Sequence, residues 1–95
     1  MTRDELLAKL RELKPWLEEQ GIVNVRLFGS YARDEAGPDS DVDLLVDLAR
    51  PMGFRFFSLA DEIEDRLGRD VDLITDASLK NPHIRNRALR DAVAI

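Results

Sequence analysis

The sequence predicts an α/β fold, and three observations carry that expectation. Segments with helical apolar spacing alternate with short β-branched runs, in the order helix, strand, short helix, strand, helix, strand, helix. The chain has 95 residues, enough for one domain, residues 1–95, with nothing left over. Its composition, 44% hydrophobic and 35% charged, is too apolar for a disordered chain, yet no apolar run nears the roughly 18 residues of a membrane span.

Thr2 and Glu5 have capping-box spacing ahead of Leu6, Leu10, Leu13 and Leu17, so an amphipathic helix begins the chain. Pro15 interrupts that pattern and predicts a kink or restart near Lys14, with the helix over by Gly21. Ile22 to Phe28 is short and β-branched, a strand that stops at Gly29. Ser30 to Glu35 can form a brief helix before the breaker Ala36-Gly37-Pro38-Asp39. Val42 to Leu48 is apolar on both faces except for its aspartates, as in a sheet covered over most of each face. Helical spacing returns with Phe56, Leu59, Ile63 and Leu67, and Gly68 is the expected stop. Val71 to Ile74 is a third strand. Asn81-Pro82 caps and opens a last helix whose inward stripe is Ile84, Ala88, Leu89 and Ala92.

Charge and composition narrow the function. Fourteen basic against nineteen acidic residues give a net charge of −5, which disfavours a sequence-indifferent grip on nucleic acid. With no cysteine and His83 as the one histidine, a thiolate nucleophile, a zinc finger and a histidine-based metal site are all disfavoured. The first residues contain no apolar run before a small-residue cleavage site, so cytoplasmic residence without membrane attachment is expected.

A strand ending in Phe28-Gly29-Ser30 and running into a helix aims backbone N–H groups and a hydroxyl at one point, which suits a phosphate. Ten residues later Asp41 and Asp43 flank Val42, and the period of two puts both carboxylates on one face about 7 Å apart. Aspartate is disfavoured in strands, so this pair calls for solvent or a cation. Oxygen ligands alone select Mg²⁺ or Mn²⁺, completed by water and substrate phosphates. Asp72 lies between Val71 and Leu73, and if its strand neighbours the one bearing Asp41 and Asp43, three carboxylates converge. Asp70 shares that parity but reads as a solvated loop residue.

Gly29-Ser30, ten intervening residues, Asp41-Val42-Asp43 and a carboxylate on a later strand together resemble the minimal nucleotidyltransferase family of the polymerase-β-like superfamily. The strings from Leu27 to Arg33, Ser40 to Val46 and Gly68 to Ile74 carry the likeness, which spans nearly the whole chain. It implies a small mixed sheet with helices mainly on one face. Members of this size resemble the antitoxin half of a toxin–antitoxin pair, in which AMP passes from ATP to a tyrosine of a HEPN ribonuclease toxin and a hetero-oligomer can form. Carried over, the resemblance assigns Gly29 and Ser30 to the triphosphate and Asp41 and Asp43 to two Mg²⁺ ions, Mn²⁺ being a substitute. It places Asp72, as metal ligand or base, at the attacking hydroxyl, and Arg33 at a phosphate or paired with a site carboxylate. Asp34 departs from the family, which often has glycine there, and adds negative charge beside the triphosphate. Two alternatives stay open: an antitoxin that acts by occlusion alone, and a transferase for a small molecule such as an aminoglycoside.

The remaining residues have plainer expectations. Tyr31 and Trp16 pack locally, Phe56 turns inward, and Phe54 and Phe57 are left as a candidate docking patch. Arg85, Arg87 and Arg90 give the last helix a basic side, and Asp47 lies beyond the reacting centre.

Overall fold

The computed structural model describes residues 1–95. Its elements are helix α1 (Arg3–Glu19), strand β1 (Ile22–Phe28), helix α2 (Gly29–Ala32), strand β2 (Val42–Leu48), helix α3 (Arg55–Leu67), strand β3 (Val71–Thr75), helix α4 (Pro82–Asp91) and strand β4 (Val93–Ala94). A 3-10 turn at Asp76–Ser78 leads from β3 towards α4. The sheet is mixed, in the order β3-β2-β1-β4, with β2 and β3 parallel and both of β1's pairings antiparallel.

Local chemistry sets most element ends. The Thr2 hydroxyl accepts the Glu5 N–H at 3.2 Å while the Thr2 N–H donates to Glu5 Oε1 at 3.4 Å, the reciprocal cap expected of this pair. Gly68 closes α3 in the left-handed region at φ 71°, and the Asn81 side chain accepts the His83 N–H at 2.9 Å ahead of Pro82.

The core lies on one face of the sheet. Leu6, Leu10 and Leu17 of α1 and Leu59, Ile63 and Leu67 of α3 pack on Ile22, Val25 and Leu27 of β1, on Val42, Leu44 and Val46 of β2, and on Leu73. Each such side chain contributes about 1.5–3 kcal/mol by leaving water. Trp16 and Arg66 tie the two helices at the rim, with the guanidinium 4.0 Å from the ring centroid. Leu45 is also fully buried but outside this cluster, because the period of two turns it to the other face, and the buried Ala88 of α4 lies outside the cluster as well. Helices therefore cover mainly one face, and α4 is the exception.

Three expectations are corrected. Helix α1 runs through Pro15 without a restart: the residue is exposed, so the Arg11 carbonyl that loses its donor can be hydrated. The inward stripe of α4 shrinks to Ala88, with Ile84 57% and Leu89 36% exposed and Ala92 beyond the helix end. Finally, Val93–Ala94 is a strand no periodicity announces, fixed by pairing to Arg26 and Leu27 far away in sequence.

Candidate active site

Three chain segments meet at one end of the sheet: β1 finishes there, and the parallel strands β2 and β3 begin there. Antiparallel register sets Phe28 opposite Asp43, and parallel register sets Asp43 opposite Asp72. Registered neighbours project to the same face of a sheet about 4.8 Å apart, so Asp43 and Asp72 stand side by side. Asp41, two residues before Asp43, shares that face, and a bond of 2.8 Å from the Val42 N–H to the Asp70 carbonyl holds its segment to the start of β3. The convergence expected of the three carboxylates is what the topology produces. Asp70 is an exposed loop residue, as expected.

Electrostatics marks the centre of the group. The Asp43 carboxyl is pushed up to about 6, first by burial, then by the charges of Asp72 and Asp41, with Arg33 pulling the other way. No three carboxylates or histidines close into a coordination cage by themselves. Asp41 and Asp72 are exposed and can rotate, and Mg²⁺ needs only one or two carboxylates beside water and phosphate. The donor set is all oxygen and mutually repelling, which fits a hard divalent cation.

Gly29 enters α2 at φ 75°, and a Cβ there would collide with Asp43 Oδ2 and stand 3.1 Å from its Cγ. Glycine at this position therefore lets the backbone turn lie directly against the Asp43 carboxylate. Ser30 follows in the same turn.

Arg33, at the end of α2, donates from Nε to Glu35 at 3.1 Å and from Nη1 to Asp91 of α4 at 3.5 Å. Its acidity is weakened by Glu35 chiefly, with Asp91 adding to the effect. The pairing expected for it is with a site carboxylate, and its two partners lie outside the Asp41, Asp43 and Asp72 group. Asp91 was not a sequence candidate: 58 positions separate it from Arg33, and no local pattern links them.

Asp34 occupies the left-handed region at φ 58°, just past the α2 cap. That conformation explains why glycine suits the position and why aspartate, tolerant of it, can replace glycine. The side chain is exposed, so solvent screens its charge. Asp34→Gly is expected to raise the melting temperature slightly, by up to about 1 kcal/mol in stability. Nucleotide affinity should stay within about twofold, since screened surface charges interact weakly. A melt and a nucleotide titration check both, and a tenfold gain in affinity would mean the charge acts on the site.

The remaining sequence candidates lie elsewhere. Tyr31 is buried in the core. Asp47 is held by Arg26 at 3.3 Å and Asn24 at 3.0 Å, away from the three carboxylates. Phe54 and Phe57 are 91% and 67% exposed, at the end where β2 finishes. From Asp43 to Leu48 the strand alone covers about 17 Å, so this patch sits opposite the carboxylates. An open, mainly polar groove lined by residues including Ser40, Asp65, Arg69 and Asp70 adjoins the site without containing it.

A family model described as the nucleotidyltransferase domain matches residues 4–95. The chain belongs to this nucleotidyltransferase family. A candidate protein adenylyltransferase of Methanocaldococcus jannaschii is 36% identical over 96 residues, covering 99% of this chain and 98% of its own. Protein adenylyltransferase MntA of Thermococcus cleftensis is 39% identical over 97 residues, covering 100% and 97%. A solved structure of a candidate minimal nucleotidyltransferase superposes with a TM-score of 0.85 at 34% identity, covering 100% and 97%. The fold also matches a structure described as a tri-AMPylated Shewanella oneidensis HEPN toxin in complex with MNT antitoxin, with a TM-score of 0.68 at 18% identity, covering 94% and 70%. In this nucleotidyltransferase Asp43 and Asp72 stand in register at the sheet end where the Gly29-Ser30 turn begins.

Proposed function

We propose that this nucleotidyltransferase is a protein adenylyltransferase, the antitoxin half of a toxin–antitoxin pair, which moves AMP from ATP to a tyrosine of a HEPN-family toxin. The observation that carries the reading is Asp43 registered against Asp72, with Asp41 on the same face and the Gly29 turn pressed against Asp43. Support comes from relatives matched end to end that bear the name protein adenylyltransferase, and from the toxin–antitoxin complex that shares the fold.

In this reading Asp41 and Asp43 would hold two Mg²⁺ ions, for which Mn²⁺ could substitute, with Asp72 beside them. Cations held there would supply charge neutralisation to the triphosphate and to the entering and leaving oxygens. Gly29 and Ser30 present the turn's backbone and hydroxyl to the phosphates. Arg33 is kept close by Glu35 and Asp91 and turns its remaining N–H groups to a phosphate oxygen. Asp72 accepts the proton of the acceptor hydroxyl, whose oxygen bonds to the α-phosphorus as the bond to the bridging oxygen breaks. Pyrophosphate leaves with that electron pair.

The acceptor must be held about 3 to 3.5 Å from the phosphorus and in line. The carboxylates lie on an open sheet end, so the positioning falls to a partner's own fold, which favours a protein over a small molecule. Transfer of label from ATP to the folded HEPN-family protein tests the reading. It should require Mg²⁺ or Mn²⁺, stop with chelator and run poorly with Ca²⁺, whose coordination is looser. Transfer that persists in excess chelator would contradict the cation assignment.

A further inference from the structure

Resting on the protein-acceptor reading, we infer that the outer edge of α4, built from Ile84, Arg87 and Arg90, is the surface on which the acceptor protein docks. The acceptor it fits is acidic, with an apolar side chain, beside its reacting hydroxyl.

Helix α4 lies on the carboxylate-bearing face of the sheet, with Ala88 buried, and its last residue touches Arg33. At 100° per residue Ile84, Arg87 and Asp91 fall on one side of the helix. Asp91 fixes that side as the one turned to α2, because it accepts from Arg33 at 3.5 Å, and α2 begins at Gly29, directly against Asp43. Ile84 then stands about 10 Å along the helix from Asp91, within the span of a docked partner that inserts one side chain into the site.

Burial and charge say what covers this edge. Ile84 is 57% exposed on a helix whose neighbouring apolar position, Ala88, is packed. His83, Arg87 and Arg90 continue the strip outward and are all exposed. Arg85 is on the other side and is engaged by Asp76 at 3.0 Å and 3.2 Å. The helix carries three arginines against one aspartate in a chain of net charge −5. A basic strip with one apolar residue, on an acidic protein and beside the reacting groups, is complementary to an acidic partner and steers its approach. The Phe54 and Phe57 patch is more apolar but lies at the far end of the sheet, where a docked partner leaves the carboxylates unreached.

The test compares Ile84→Asp and the pair Arg87→Glu/Arg90→Glu with wild type, and Arg87→Gln/Arg90→Gln serves as a milder pair should the reversal perturb the fold. Label transfer from ATP to the folded HEPN-family protein should fall about tenfold or more in kcat/KM, while the nucleotide-induced rise in melting temperature stays as in wild type. Rates within about twofold of wild type would overturn the inference. So would a larger loss in Phe54→Ser/Phe57→Ser. If the wild-type chain transfers nothing, the proposed function fails, and calorimetric binding to the same HEPN-family protein decides this inference alone. Weakening by about tenfold in the reversed pair upholds it, and unchanged binding overturns it. Loss of binding to a labelled RNA with protein binding intact would also overturn it, by making the strip a nucleic-acid surface.

Discussion

Asp43→Asn is expected to reduce AMP transfer by about a thousandfold or more, since it removes a proposed cation ligand, and yet to strengthen the metal-free fold above pH 6. The sign follows from the carboxyl's folded value of about 6 against 3.8 for the free group. A group raised on folding stabilises the native state while protonated, fully so below about pH 4, and loses that contribution as pH rises through 6. At pH 4 wild type and Asp43→Asn should melt alike. At pH 8 the variant should melt higher, by on the order of 1 kcal/mol once solvent screening of this half-buried group is counted. Asp41→Ala should likewise abolish transfer while leaving the fold intact. A substantially lower melting temperature in either variant would make the pair structural, and full activity would remove the two-cation mechanism.

The second large effect belongs to Gly29→Ala. The φ of 75° alone costs an L-residue about 1–2 kcal/mol, and the new methyl must push the Asp43 side chain out of its place beside Asp72. Stability should therefore fall by about 2 kcal/mol, and transfer by about a hundredfold or more, because an ångström of misplacement is costly to an in-line displacement. Thermal melts and initial rates on the same preparation measure both. A variant with wild-type stability and rate would mean that the turn relaxes freely and that its contact with Asp43 is incidental.

Much of the fold is written in local chemistry, and so it is legible in the sequence. The Thr2–Glu5 cap, the Gly68 stop, the Asn81-Pro82 start and the β-branched runs each act over a few residues, and each appears where the pattern put it. The Asp41-Val42-Asp43 spacing likewise determines one face. What depends on long-range contact was not legible. The register of Asp43 against Asp72 needs β2 and β3 to be parallel neighbours, and the Arg33–Asp91 contact needs α4 to cross to α2. The pairing of Val93–Ala94 with β1 is of the same kind. The reduced stripe of α4 reflects a sheet face that is only partly covered, which apolar spacing cannot distinguish from a full core. Asp34 is instructive in another way: a departure legible as charge is a matter of backbone conformation, since φ 58° is what glycine otherwise supplies.

In the proposed reaction the chain modifies a folded partner, and the acceptor's own structure supplies the positioning that an open sheet end lacks. A short peptide containing the target tyrosine should thus be a far poorer substrate than the intact protein. Intact-mass and peptide-mapping mass spectrometry of the HEPN-family protein, after incubation with this chain, ATP and Mg²⁺, tests the claim most directly. AMP is expected on a tyrosine of the partner and is expected to be lost when Asp43 is replaced. A partner that is inhibited but carries no added AMP would contradict it and leave occlusion as the mechanism.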